Sequence, residues 1–202
     1  MRFVPLLALA LLGACSSDPA PAEPGPKPSA NRAIAVFAGG CFWCTEADFD
    51  KIPGVLATTS GYTGGKVAKP TYEQVSAGGT GHIEAVQVVY DPRKISYPAL
   101  AERFFRTVDP LDEGGQFCDR GYPYRTAIFA TPQQSASAEA AKAKAAATLK
   151  KPIATLNLPA AAFYPAEGYH QDYYKKNPVR YKYYRWNCGR DARLAQVWDG
   201  KG

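Results

Sequence analysis

The 202-residue chain is poor in several residue types. It has one Met (the first residue), two His and five Cys. Five Cys at this length are too few for a small disulfide-knotted scaffold. The absence of Met after position 1 suits a protein exposed to oxidants, because Met side chains are readily oxidised. No dense run of Lys or Arg is present. The formal net charge of +6 comes from scattered residues, which indicates a mildly basic soluble surface and no nucleic-acid partner. No apolar run is long enough to span a bilayer as a helix. With 46% hydrophobic and 21% charged residues, the composition excludes a disordered chain and a multi-pass membrane protein. It is sufficient for one domain with a sizeable core.

The first residues read as an address. Arg2 precedes an apolar run from Phe3 to Leu12, then Gly13-Ala14-Cys15. A charged start, a short apolar stretch and small residues before a break form a secretory signal over 1–14. Leu12-Gly13-Ala14-Cys15 resembles a bacterial lipobox, in which Cys15 becomes the lipidated first residue of the mature chain. An ordinary cleaved signal with an incidental Cys is the alternative. Ser16 stands where an inner-membrane retention signal would carry Asp, which points to the outer membrane. Residues 15–31 are Pro-rich and read as an extended tether. One domain, 32–202, remains, with no internal repeat.

Within that domain, Ala33 to Ala38 reads as a buried strand ending in Gly39-Gly40. Phe42 to Lys51 reads as a helix stopped by Pro53-Gly54, and Val55 to Ser60 as a strand leading into a Gly61–Gly65 loop. Ile83 to Tyr90 is the clearest strand, closed by Asp91-Pro92. Tyr97 to Val108 is an amphipathic helix, Tyr124 to Ala130 a strand, and Pro132 to Leu149 a long helix begun by Pro. Ile153 to Leu156 is a short strand. From Ala160 onward, Tyr and Pro density predicts an irregular tail with one short helix near His170. The mixed order predicts an α+β fold with an antiparallel or mixed sheet.

The chemistry sits where the first strand turns into the first helix. In Gly39-Gly40-Cys41-Phe42-Trp43-Cys44, Cys41 falls at the helix start, where unpaired N–H groups favour an anion. This position predicts a lowered thiol pKa and a nucleophile; a buried structural Cys is the alternative. Cys41-x-x-Cys44 also fits a dithiol motif. Zinc is disfavoured because Cys118 and Cys188 come singly. Glu84 lies two residues after His82 on a strand among Ile83, Ala85 and Val86, so an inward-facing carboxyl would have a raised pKa. A solvent-facing strand is the competing reading. Cys118-Asp119 and Asn187-Cys188-Gly189 complete the notable segments.

Together these stretches resemble the A class of peptide methionine sulfoxide reductases. The matching segments include Gly40 to Trp43, Gly61 to Gly65, Pro70-Thr71-Tyr72, Gly81 to Val86, Tyr90 to Pro92, Asp119 to Gly121, Tyr124 to Ile128 and Tyr169-His170-Gln171. They run in the family's order. The resemblance implies a ferredoxin-like two-layer sandwich with a mixed sheet. It implies thiol-dependent reduction of the S epimer of methionine sulfoxide, free or in proteins, through a Cys41 sulfenic acid and an intramolecular disulfide. In the family pattern Cys41 matches the nucleophile, Phe42 and Trp43 the apolar wall for the S-methyl group, and Glu84 the acid. Tyr62 and Tyr124 match hydroxyl donors, and Asp119 a supporting residue. Cys44 stands where the family commonly has Gly, and Cys118 is a second departure. Three thiols therefore compete as the resolving residue: Cys188 on a Gly-containing tail is favoured, with Cys118 and Cys44 as alternatives. The resemblance implies no metal or organic cofactor. It implies an external dithiol such as a thioredoxin-like protein as reductant. A monomer is expected, and with the lipobox reading the expected task is repair of oxidised envelope proteins.

Overall fold

The computed structural model describes residues 31–200; the expected signal peptide over 1–14, Cys15 and nearly all of the expected tether lie outside them. In chain order the elements are β1 (Ala33–Gly39), α1 (Phe42–Phe49), β2 (Val55–Thr63), α2 (Tyr72–Ser76), β3 (Ile83–Tyr90), α3 (Tyr97–Arg106), β4 (Gly115–Gln116) and β5 (Asp119–Arg120). There follow β6 (Thr126–Ala130), α4 (Pro132–Leu149), β7 (Leu156–Pro159), β8 (Phe163–Pro165), α5 (Tyr173–Lys176), α6 (Pro178–Asn187) and α7 (Arg190–Asp199).

The main sheet has the order β7-β6-β1-β3-β2-β8. Its middle strands, β6-β1-β3-β2, pair antiparallel. With α1 and α3 as crossovers they make the interleaved βαβ units of the ferredoxin-like fold. The α4 crossover adds β7 parallel to β6, so the sheet is mixed, as the sequence predicts. A two-stranded ladder, β4-β5, stands apart.

Period-two alternation divides the strands between two clusters. Ala35, Phe37, Val86, Val88 and Tyr90 join Phe49, Leu100, Phe104 and the Ala face of α4 on the helix side. Phe37 stacks between Phe49 and Phe104, with ring centroids 4.9 and 5.1 Å away. Ala38, Ile83, Ala85 and Phe129 form a smaller cluster on the other face. β3 is therefore buried on both sides, which excludes the solvent-facing reading of Glu84.

The C-terminal region is the main departure from the sequence reading. It is not an irregular tail: β8 and three helices occupy it. Pro178 starts α6 at its first turn, where a missing N–H costs nothing, and Gly189 at φ 66° turns α6 into α7. The amphipathic signal is blurred because α6 is aromatic on both sides. Tyr181 packs inward with Tyr184 against Cys44 and Trp43, while Val179, Tyr183 and Trp186 face out.

Candidate active site

β1 delivers the chain to the site and Gly40 turns it. Gly40 has φ 79°, and a Cβ there would lie 2.5 Å from the Gln116 side chain, so only Gly fits. Cys41 follows as the N-cap of α1, and its carbonyl accepts hydrogen bonds from the Cys44 and Thr45 amides at 3.2 Å each. The next amide, Phe42 N–H, is an unpaired donor of the first turn. It donates to Glu84 Oε2 at 3.0 Å. That bond ties the Cys41 turn to β3. Glu84 belongs to the helix-side alternation with Val86 and Val88 and is 2% exposed. Burial, reinforced by Asp119, pushes its pKa up to about 8 despite the Phe42 amide, so it carries a proton at neutral pH.

The thiol itself differs from expectation. Cys41 is buried and in hydrogen-bond contact with Cys44; burial, that contact, Glu84 and Asp119 all push its pKa well up. The N-terminus of an eight-residue helix does not outweigh them. Cys44 moves the other way: the hydrogen bond from Cys41 lowers its pKa, and Arg190 and Arg185 add to this against its burial. Of the two, Cys44 is the more readily ionised in the resting site. Both are free thiols.

Cys188 is bonded to Cys118 across 70 residues. Cys118 is exposed, and Cys188 is half-buried. The thiol favoured as the partner of Cys41 is thus tied elsewhere, and the thiol touching Cys41 is Cys44.

Phe42 and Trp43 pack among aromatic rings. Trp43 stacks on Tyr173 with centroids 3.7 Å apart, and its indole N–H donates to His170 Nδ1 at 3.0 Å. His170 is buried, which lowers its pKa to about 4 and keeps it neutral. Phe42 packs on His170 at 4.9 Å. His82, by contrast, braces the preceding loop through Gly65 N–H and Val67 O.

The tyrosines require a correction. Tyr62 pairs with Glu84 across the ladder, but its hydroxyl donates to Glu167 Oε2 at 2.8 Å, which commits it away from the thiol. Its place beside Tyr124 is taken by Tyr72. The Tyr72 and Tyr124 hydroxyls interact with each other, and both phenols lie near the Glu84 carboxyl. Both are half-buried, with pKa values raised chiefly by burial, so both remain neutral donors. Glu167 Oε1 also accepts from Tyr72 N–H at 2.9 Å, and Thr71 caps α2. The signal for Tyr72 is present in Pro70-Thr71-Tyr72; what is missing from the sequence is the long-range hold of Glu167 on Tyr62.

The C-terminal helices supply residues that sequence reasoning missed. Tyr184 donates its hydroxyl hydrogen to Asp119 Oδ2 and packs edge-on to Trp43 at 5.8 Å. Arg190, 2% exposed, reaches Gly39 O at 3.3 Å and Thr107 O at 2.7 Å, bracing the turn before Cys41. Arg185 bridges Asp48 of α1 and Asp191 at 3.0 and 2.6 Å. Among the described residues no cluster of three or more His, Cys, Asp or Glu is placed to hold a metal ion.

A free thiol pair at a helix start, faced by a protonated carboxyl and two phenols and walled by aromatics, is the site of a thiol-based oxidoreductase. It suits a substrate with an apolar group beside a polar oxygen. Residues 33–202 match the family model described as peptide methionine sulfoxide reductase. Among similar proteins, the peptide methionine sulfoxide reductase MsrA 2 of Caulobacter vibrioides is 54% identical over 96% of this chain and 95% of its own length. The MsrA of Bacillus licheniformis is 51% identical over 84% of this chain and 96% of its own. Two solved structures share the fold. Reduced Mxr1 from Saccharomyces cerevisiae has TM-score 0.72 and 32% identity, covering 76% of this chain and 90% of that one. Methionine sulfoxide reductase A of Corynebacterium diphtheriae has TM-score 0.67 and 34% identity, covering 82% and 89%. The chain belongs to the peptide methionine sulfoxide reductase family of oxidoreductases.

Proposed function

We propose that this chain reduces the S epimer of methionine sulfoxide, free or within proteins, to methionine, with Cys41 as nucleophile. The observation that carries the reading is the Phe42 N–H···Glu84 hydrogen bond, which sets a buried protonated carboxyl beside a free thiol. A sulfoxide sulfur is a poor electrophile until its oxygen is hydrogen-bonded or protonated. Glu84 supplies the proton, and Tyr72 and Tyr124 donate hydrogen bonds as charge develops. Phe42 and Trp43 receive the S-methyl group. Cys41 sulfur attacks the sulfoxide sulfur; methionine leaves, and Cys41 retains the oxygen as a sulfenic acid. Unoxidised methionine leaves Glu84 and the phenols unpaired and binds poorly.

The sulfenic acid then condenses with a thiol, releasing water. Cys44 takes this step, because it already contacts Cys41 and ionises more readily. The Cys118–Cys188 pair, when reduced, exchanges with the Cys41–Cys44 disulfide and carries the oxidation to the surface, where Cys118 is exposed. An external dithiol protein of the thioredoxin kind closes the cycle; Mxr1 of Saccharomyces cerevisiae has itself been solved in complex with Trx2. Neither a metal nor an organic cofactor takes part. The Leu12 to Cys15 lipobox supports an outer-membrane lipid anchor at Cys15, with the 15–31 tether holding a monomeric domain 32–202 in the periplasm for repair of envelope proteins.

The test is turnover of a methionine sulfoxide peptide with dithiothreitol, followed by mass-spectrometric mapping of disulfides trapped after one equivalent. Cys41→Ser is expected to abolish reduction. Cys188→Ser is expected to complete a first turnover, accumulate a Cys41–Cys44 bond and stall with a thioredoxin-type reductant. A dominant Cys41–Cys188 bond, with Cys44→Ser turning over normally, refutes the Cys44 step. Residual turnover in Cys41→Ser refutes the nucleophile.

A further inference from the structure

Helix α6 has two unlike faces. Its inner face is committed to the domain: Tyr181 and Tyr184 pack against Cys44 and Trp43, and Arg185 bridges Asp48 and Asp191. Its outer face carries Val179, Tyr183 and Trp186, which are 79%, 65% and 74% exposed. Positions i, i+4 and i+7 fall on one side of a helix, so the three form a single stripe. The Tyr183 and Trp186 ring centroids lie 6.1 Å apart. The other large exposed apolar residues, Leu56, Val67, Tyr122 and Tyr169, come singly from separate segments. Apolar residues scattered singly on a surface are ordinary, whereas a contiguous stripe marks an interaction surface.

Charge indicates what the stripe meets. From Tyr173 to Arg190 the chain has six Lys or Arg and no Asp or Glu. Lys175, Arg185 and Arg190 face Asp50, Asp172, Asp48 and Asp191. Lys176, Arg180 and Lys182 are exposed, and among the described residues none of them pairs with a carboxylate. At 100° per residue, Arg180 and Lys182 flank the stripe on opposite sides. An aromatic stripe between two unpaired cations complements a surface whose anionic groups overlie an apolar interior.

We propose that the outer face of α6 docks on the surface of an anionic phospholipid bilayer. The inference rests on the lipid-anchor reading above and adds a second, weaker contact made by the folded domain. Tyr183 and Trp186 sit at headgroup level, Val179 reaches just below, and Arg180 and Lys182 meet the phosphates. The contact is superficial: α6 has ten residues, and among the described residues no helix is long and apolar enough to cross a membrane. At about 3.1 Å per extended residue, the 15–31 tether alone would let the domain swing through about 50 Å. Held that close, a face of low intrinsic affinity is sufficient, because tethering supplies an effective concentration on the order of millimolar. Since α6 is clamped to α1 through Arg185, docking fixes the orientation of the Cys41 site as well.

The experiment uses the expected mature chain, 15–202, carrying Cys15→Ala, so that neither the apolar leader nor a lipid contributes. Binding is measured by co-sedimentation with phosphatidylcholine vesicles, with and without phosphatidylglycerol. The chain should bind the anionic vesicles only, and less as sodium chloride is raised. Arg180→Gln with Lys182→Gln should weaken binding about twentyfold, roughly fivefold for each cation lost. Tyr183→Ser with Trp186→Ser should weaken it at least about tenfold, whereas Leu56→Ser should not change it. Dithiothreitol-supported turnover of a soluble methionine sulfoxide peptide should be unchanged in every variant, which shows that each is folded. Absence of wild-type binding at low salt, equal binding to neutral vesicles, or equal losses in Leu56→Ser overturns the proposal. So does a raised KM for a thioredoxin-type reductant in the α6 variants with vesicle binding intact, which would give the face to a protein partner. Mass spectrometry of the exported chain reads lipid at Cys15 separately, so failure of the anchor and failure of this face are distinguishable.

Discussion

Replacing Glu84 with Gln separates what the site needs for chemistry from what it costs in stability. Glu84 is 2% exposed, and its pKa rises from 4.5 to about 8 on folding. An acid held more tightly protonated in the folded state than in the unfolded one stabilises fully below the unfolded value. That contribution is lost as pH rises toward the folded value. Each pH unit in that window is worth about 1.4 kcal/mol. By pH 7 wild type has therefore lost about 3 kcal/mol relative to pH 4.5, and the loss levels off near 5 kcal/mol above pH 9. Glu84→Gln has no proton to lose, and its amide oxygen still accepts from Phe42 N–H. Urea unfolding of both proteins from pH 4.5 to 9 should give a stability difference that grows in favour of the variant, most steeply between pH 5 and 8. Glu46, whose pKa burial raises to about 7, is present in both and cancels. The same variant should form sulfenic acid far more slowly, because Gln donates a hydrogen bond but no proton. Parallel stability curves, or an unchanged single-turnover rate, would refute the placement of a protonated carboxyl at the heart of the site.

Two further predictions follow from the same geometry. Tyr72→Phe should slow the first turnover by about tenfold or more, whereas Tyr62→Phe should cost about 1–2 kcal/mol of stability through loss of its Glu167 hydrogen bond and spare the rate; stopped-flow kinetics and thermal melts of the two variants check this, and equal rate losses would restore Tyr62 to the site. Cys15→Ala should release the chain from membranes with activity intact, and a variant that still fractionates with membranes after a salt wash would end the lipid-anchor reading.

What the sequence made legible was local. The Gly39-Gly40 turn and the Cys41 helix start follow from steric rules over a few residues; strand alternation puts Glu84 on one face with His82, and the burial of β3 on both sides decides that it points inward. The α+β class follows from the mixed order of elements, whereas the ferredoxin-like topology came only through the family resemblance. What stayed hidden depends on distant partners. Tyr62 looks as available as Tyr72 until Glu167, 105 residues away, takes its hydroxyl. The thiol pKa of Cys41 follows burial and neighbouring acids, not the local helix start. The three C-terminal helices were masked because α6 puts aromatics on both its buried and exposed sides, so no single period stands out. The Cys118–Cys188 bond joins segments whose proximity only the tertiary fold creates.

The two outermost strands of the main sheet carry a consequence for how the enzyme meets its substrates. β7 and β8 are four and three residues long, and each ends in proline. Short edges with a residue that lacks an N–H give an incoming extended chain almost nothing to zip onto. An enzyme that meets oxidised proteins is exposed to extended chains whenever its substrates unfold, and a long bare edge would capture them by their backbones. Blunted edges keep this sheet from seeding aggregates with its own clientele, so that engagement is confined to the oxidised side chain and ends when that side chain leaves.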